Sequence, residues 1–312
     1  MNCLYSLHGL PITLSSEDEG FLRFFEEFRK GWALKPLNAV GRKAGIFLSI
    51  NDSGGKHFSL PPDSKLLYRY VPISAYLCPD GLHLLKGSSY HMYLRPEQGY
   101  AKGWVARGSM TFDSFARVFS LVLSELLSAR GFFYLHSACL SDRSGKGWLI
   151  CGWPRSGKTT LSLGFIRAGF FYLSDDAVLL KRAGRGRVES LSLRKALRVK
   201  SKNGVKRSLL PESMSAGCYI EQCVPSVLIN TCLSRKRNSS LVPITASRAF
   251  LDLIPQSFQI LSSMSAEEHS SVLKDLSSQC VSFALHAGTD LLRSPERLIH
   301  MIREKGVTAD VP

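Results

Sequence analysis

The sequence predicts a mixed α/β protein in two parts, a smaller strand-rich α+β region over residues 1–110 and a larger phosphate-loop unit over residues 111–312. Three observations predict it. Short apolar runs alternate with turn signals throughout the first part. Apolar residues recur at helical spacing directly after it. A short apolar run, a glycine-bearing loop and a helix-forming stretch then follow one another from Trp148 to Leu163.

In the first part a helix is expected near 19–30, and strands over 45–50, 65–71, 81–85 and 91–94. Asn51-Asp52-Ser53-Gly54-Gly55, Pro61-Pro62-Asp63, Pro79-Asp80-Gly81 and Leu85-Lys86-Gly87 separate them, because these residues readily take turn dihedrals. Thr111-Phe112-Asp113 then supplies capping chemistry. Phe115, Val118, Phe119, Val122, Leu123, Leu126 and Leu127 form one helical face up to Gly131.

Two apolar runs, 132–140 and 147–151, are joined by the polar link Ser141-Asp142-Arg143-Ser144-Gly145-Lys146 and read as a hairpin. A helix over 160–168 ends at Gly169, where a C-terminal glycine belongs, and a strand over 170–173 leads to Ser174-Asp175-Asp176. Extended chain follows over 177–180. The stretch 181–207 is dense in Arg and Lys and lacks aromatics, so turns and irregular strands are expected there. A strand over 226–231 precedes the basic loop Ser234-Arg235-Lys236-Arg237-Asn238. Helices near 247–254, 266–276 and 295–304 and a strand near 281–285 complete the chain.

Composition narrows the class. The 312 residues, 45% hydrophobic, suffice to bury a real core. A formal charge of +15 favours an anionic partner: phosphate, nucleic acid, acidic peptide or lipid head groups. No zinc-finger spacing or RNA-binding aromatic signature accompanies the charge, so nucleic acid is not expected. No run approaches the roughly 18 apolar residues of a spanning helix; the best candidate, 115–127, contains Arg117 and Glu125. Acidic residues follow the N-terminus quickly and no basic n-region precedes them, so a cytoplasmic protein without a secretory signal is expected. The eight cysteines form no C-x-x-C pair and read as reduced thiols; Cys218, Cys223 and Cys232 fit no zinc spacing.

The segment Gly152-Trp153-Pro154-Arg155-Ser156-Gly157-Lys158-Thr159 matches G-x-x-x-x-G-K-[ST]. Its glycines let backbone N–H groups turn inward around an anion, while the following helix, opening with Thr160, presents its positive end. Lys158 is then expected on the β- and γ-phosphates of ATP and the Thr159 hydroxyl on Mg²⁺. Asp175 and Asp176 follow after only one helix and one strand, and His136 sits upstream on the strand paired with the one that feeds the loop.

His136-Ser137-Ala138, the loop 152–159, Arg167-Ala168-Gly169-Phe170 and Leu173-Ser174-Asp175-Asp176, in this order and spacing, resemble the catalytic domain of HPr kinase/phosphorylase and its relatives. The match covers 132–180. The resemblance implies a phosphoenolpyruvate-carboxykinase-like nucleotide-binding fold and ATP-dependent, Mg²⁺-assisted phosphorylation of a serine on a peptide or protein. It implies Asp175 as the base that takes the hydroxyl proton, Asp176 as a metal or water ligand beside Thr159, and His136 as a group that orients the base or meets a phosphate oxygen. A carboxylate base, a metal and cations are what phosphoryl transfer requires.

The family's second, glycine- and arginine-containing signature is absent. Arg194-Lys195-Ala196-Leu197-Arg198-Val199-Lys200 and Lys202-Asn203-Gly204-Val205-Lys206-Arg207 stand in its place. HPr itself is therefore not supported as substrate. Arg198 and Lys206 are candidates for the γ-phosphate or an acidic substrate, and most other cations are expected on a solvated face. Two other classes stay open: a catalytically silent nucleotide-dependent adaptor in a peptide-modification pathway, and a basic nucleic-acid-binding ATPase. A homo-oligomer is compatible with all of them.

Overall fold

The computed structural model describes residues 1–37, 45–54, 59–70, 73–86, 89–106, 111–200, 206–214, 217–257 and 263–307. Two units divide the chain. The first takes Met1–Lys30, Leu34–Phe132 and Gln259–Ala266; the second takes Gly31–Ala33, Phe133–Phe258 and Glu267–Pro312.

The first unit begins with β1 (Asn2–Leu7), β2 (Leu10–Ser15), α1 (Glu19–Arg29), β3 (Lys35–Pro36) and β4 (Ile46–Asp52). It continues through β5 (Lys65–Tyr70), β6 (Ile73–Cys78), β7 (Gly81–Lys86), β8 (Tyr90–Arg95), β9 (Tyr100–Val105) and α2 (Phe112–Ser128). Its described strands form one nine-stranded sheet, ordered β3-β1-β2-β4-β9-β8-β7-β6-β5, with β2–β4 and β4–β9 parallel. The Asp18 side chain caps α1 by accepting from the Gly20 N–H at 2.8 Å. A capping box of Thr111 and Ser114 starts α2 as its sequence predicts.

Phe21, Phe25 and Phe28 of α1 pack edge-on against Phe115 and Phe119 of α2, with ring centroids 4.8–5.7 Å apart in the closest pairs. Aromatic pairs in such geometry add about 0.5–1.5 kcal/mol each to what burial supplies. This packing keeps α2 with the first unit, so the division expected at residue 110 falls at Phe132 instead.

The second unit runs β10 (Phe132–Leu135), β11 (Ser137–Ser141), β12 (Lys146–Cys151), α3 (Lys158–Arg167), β13 (Phe171–Ser174), β14 (Val178–Ala183) and β15 (Arg187–Ser192). Next come β16 (Leu197–Lys200), β17 (Lys206–Leu209), β18 (Gln222–Leu233), β19 (Ser240–Ile244) and α4 (Ala246–Leu253). The last elements are α5 (Ser263–Gln279), β20 (Val281–Ala287), α6 (Thr289–Arg293) and α7 (Arg297–Arg303). Its main sheet is ordered β10-β14-β15-β18-β12-β11-β13, and β20 joins it by pairing with β18 and β19. β12, β18 and β20 are mutually parallel neighbours, whereas β11 pairs antiparallel with β12 as the hairpin signal predicts.

β12 is buried on both faces, as its uninterrupted apolar run implies. Trp148 and Ile150 point to a core shared with Leu161 and Phe165 of α3, Leu291 of α6 and Leu298 and Ile302 of α7. Leu149 and Cys151 point to a second core with Ala249 and Leu253 of α4 and Val272, Leu273 and Leu276 of α5. Trp148, Phe165 and Phe170 meet edge to face with centroids 5.5, 5.2 and 4.8 Å apart, which fixes the base of α3 against the strand that feeds its loop.

The chain is therefore mixed α/β and strand-rich. No described helix is long and apolar enough to cross a membrane. The run 132–140 is two strands, β10 and β11, broken at His136, whose backbone N–H leaves the ladder to donate to Gln256 O at 2.8 Å. The basic stretch 181–207 is more regular than its composition implies, with β14 paired to β15 and β16 to β17. Residues 201–205 of that stretch lie outside the described residues.

Candidate functional site

The loop between β12 and α3 depends on its glycines. Gly152 holds φ +146°, and a Cβ there would stand 2.3 Å from Thr231 O and 2.7 Å from Ser156 Oγ. Arg155 and Gly157 both adopt positive φ, +69° and +95°. Only the second is a glycine, so Arg155 carries backbone strain at the loop tip. Gly157 is the N-cap of α3 and contributes no side-chain cap. The first N–H groups of the helix are thus not claimed by a capping side chain, which is the condition for holding an anion there. The Ser156 Oγ is buried without a partner among the described residues. Trp153, Pro154 and Arg155 are exposed, Trp153 at 63%, and Thr160 is half-buried in the first turn.

Lys158 is buried and its Nζ donates to Gly152 O at 2.6 Å, folding back over the loop. Thr159 Oγ1 donates to Asp175 Oδ2 at 3.1 Å. Asp175 directly follows β13 in a buried position, and its Oδ1 has no partner among the described residues. Asp176 turns the other way. Its carboxylate is ion-paired with Arg194, and His136 Nδ1 lies 3.4 Å from its Oδ1. The same Nδ1 is 2.8 Å from the Asp176 carbonyl, an acceptor only, so that nitrogen carries the proton. Arg194 in turn lies over the Trp32 ring at 5.4 Å.

Burial sets the charges. It pushes the Asp175 carboxyl up to about 6, helped by the Asp176 charge and opposed by the Thr159 hydrogen bond. Burial also acts against the Asp176 charge, but Arg194, His136 and Lys158 outweigh it and hold that carboxyl below its ordinary range. Burial depresses both His136 and Lys158, against the pull of Asp176 on each. Two adjacent carboxylates thus hold their protons differently, the arrangement expected where one is a base and the other a fixed charge.

The sequence candidates mostly converge. The loop, Lys158, Thr159, Asp175, Asp176 and His136 form one cluster, with two changes of partner. Thr159 contacts Asp175, not the Asp176 expected beside it as metal ligand; His136 contacts Asp176, not the expected base. Arg198 reaches the site through its backbone, which hydrogen-bonds to Asp175. The Lys206 side chain lies outside the described residues. Sequence reasoning missed Arg194 and Trp32, because nothing local distinguishes Arg194 from the cations around it. It also missed Thr231, whose hydroxyl donates to Ser156 O at 3.3 Å from a neighbouring strand.

No group of three or more His, Cys, Asp or Glu that could cage a metal occurs among the described residues. Mg²⁺ needs no such cage, since it takes one or two protein oxygens and completes its shell with phosphate and water. The Thr159 hydroxyl beside a carboxylate with an unpartnered oxygen fits that demand. No described cysteine is in a disulfide. Cys232 Sγ lies 3.2 Å from His286 Nδ1, a pairing across strands that chain spacing hides.

No family model matches the sequence, and no curated protein matches it. Among solved structures, the Hpr(Ser) kinase/phosphatase from Coxiella burnetii is similar over 55% of this chain and 99% of that one, with 14% identity and a TM-score of 0.34. A likeness of that size carries no weight for the site, which stands on its own contacts.

Proposed function

We propose that the chain is an ATP-dependent kinase that transfers the γ-phosphoryl group to a serine hydroxyl of a peptide or protein, with the second unit carrying an HPr-kinase-like, phosphoenolpyruvate-carboxykinase-like catalytic arrangement. The observation that carries this is Asp175: a buried carboxylate raised to about 6, with one oxygen on Thr159 and the other unpartnered among the described residues, beside a loop built to hold phosphate.

Lys158 exchanges the Gly152 carbonyl for phosphate oxygens, and the first amides of α3 face the same charge. Bound Mg²⁺ and ATP supply charge neutralisation and the transferable group. Asp175 takes the proton from the serine hydroxyl as its oxygen bonds to the γ-phosphorus; the bond to the bridging oxygen breaks and ADP leaves. The Thr159 hydroxyl is the metal-side oxygen, which leaves the unpartnered Asp175 oxygen for the proton. Asp176, partly exposed to water and fixed by Arg194 and His136, acts as a steady negative charge beside them.

Lys158→Ala should weaken ATP binding at least 100-fold by calorimetry, because a buried cation aimed at the loop is removed. Incubation with labelled ATP, Mg²⁺ and serine peptides encoded beside the gene, followed by mass spectrometry, should give phosphoserine that the Asp175→Asn protein does not form. Unchanged ATP affinity in the Lys158 variant overturns the nucleotide site. ATP binding without transfer to any serine leaves the silent adaptor as the better account.

A further inference from the structure

The loop that follows β18 carries Arg235, Lys236 and Arg237, all exposed, and none has a carboxylate partner among the described residues. Adjacent like charges repel, so a loop of this composition left to itself would spread into solvent. This one is tied down through its backbone. Ser234 N–H donates to Ala287 O at 2.8 Å, Thr289 N–H to Lys236 O at 3.2 Å and Asp290 N–H to Arg237 O at 3.1 Å. Ser239 donates its N–H and hydroxyl to the Asp290 carboxylate and accepts from the Gly288 N–H at 2.7 Å. Gly288 is packed so closely that a Cβ there would stand 2.7 Å from Arg237 O. Asp290, the carboxylate at the loop among the described residues, is taken by the loop backbone and by a 3.7 Å approach to Arg297, and none of the three loop cations pairs with it.

Topology places these cations at the phosphate loop. β12, β18 and β20 are parallel, so the phosphate loop after β12, the basic loop after β18 and the Gly288–Asp290 turn after β20 share one edge of the sheet. Ligands of such sheets bind at the carboxyl ends of the strands. The last residues of β18 touch the phosphate loop directly: Thr231 donates to Ser156 O, and Leu233 Cδ2 lies 3.5 Å from where a Gly157 Cβ would be. Arg235 follows two residues later, about 7 Å of extended chain away.

We propose that the loop Ser234–Ser239 docks acidic side chains that flank the phosphorylated serine of the peptide or protein substrate. The proposal rests on the serine-kinase reading and names its substrate class. The backbone is ordered in advance, so only side-chain freedom is lost on binding and the attraction of the three cations for carboxylates is realised as affinity and register. Nucleic acid is the less suitable occupant, because the loop carries no aromatic side chain on which a base could stack.

The test uses the full chain with a labelled peptide holding a central serine between glutamates, and the same peptide with glutamines, in fluorescence anisotropy at low salt. The glutamate peptide should bind at least tenfold more tightly. Arg235→Ala/Lys236→Ala/Arg237→Ala should remove that preference while ATP affinity stays unchanged. Neutralising Arg143 and Lys146, at the opposite end of β12, should leave it in place. Equal affinity for the two peptides, a preference that survives the triple substitution, or tighter binding of a single-stranded oligonucleotide of equal charge overturns the proposal. Because binding is read without transfer, failure of the kinase chemistry would appear separately, as ATP bound and no phosphoserine formed.

Discussion

Asp175 costs the free protein stability for the sake of its position. Its carboxyl is ordinary when unfolded and is raised to about 6 when buried. The native state therefore binds a proton more readily between about 4 and 6, and stability from this group falls as pH rises through that window. Above it the ionised, half-satisfied carboxylate destabilises the fold by on the order of 2–3 kcal/mol. Asp175→Asn should raise the unfolding free energy of the apo protein from urea titration at pH 8 by that order, and the gain should disappear near pH 4. If Asp175 is the base, kcat/KM of the wild type should also fall as pH drops through about 6, where the carboxylate is lost. His269 works in the opposite direction. Buried in α5, with its ring 5.1 Å from Phe133, it is depressed by burial to about 4. Its contribution is complete above the ordinary histidine range and is lost as pH falls from about 6.5 toward 4. His269→Phe should flatten acid unfolding over that window, and an unchanged pH profile would remove His269 as a cause.

At the scale of elements, the phosphate loop is held by its neighbours as much as by its own glycines. Gly152 packs under the Thr231 carbonyl of β18, so Gly152→Ala forces both a strained φ and a clash with backbone. The expected cost is about 1–3 kcal/mol from strain alone, with ATP affinity reduced more than stability; equal losses in the two would point to general unfolding. This dependence on β18 explains what the sequence could reveal. The loop, the capped start of α2 and the apolar run of β12 were legible because each is coded by residues a few positions apart. The hairpin of β1 and β2 was not, because its turn uses His8 and Gly9 with φ of +49° and +86° in place of the usual asparagine–glycine pair. The break at His136 was hidden because its causes, Gln256 and Asp176, are remote in the chain. The exchange of partners between Asp175 and Asp176 is a matter of side-chain direction, on which composition is silent.

At the scale of the whole molecule, the two units do not divide where a single cut could separate them. Gly31–Ala33 belongs to the second unit although it lies deep in the first part of the chain. Gly31 O accepts from the N–H groups of Lys195 and Ala196 at 2.8 and 3.1 Å, Ala33 N–H donates to Leu193 O at 3.1 Å, and the Trp32 ring lies under Arg194. The segment thus acts as a bracket on the residues that present Arg194 to Asp176. A chain of residues 111–312 would lose that bracket and also expose the face of α2 that Phe21, Phe25 and Phe28 cover, so it should self-associate in gel filtration. A chain beginning at Phe133 drops α2 as well and keeps the phosphate loop, Lys158 and Thr159. It should bind ATP within about tenfold of the full chain and yet transfer phosphate far more slowly, because Arg194 and Asp176 are no longer held. Trp32→Ala in the full chain should reproduce that separation, lowering kcat about tenfold with little change in ATP affinity. If Trp32→Ala instead weakens ATP binding and leaves kcat alone, the bracket serves the nucleotide pocket rather than the carboxylate pair.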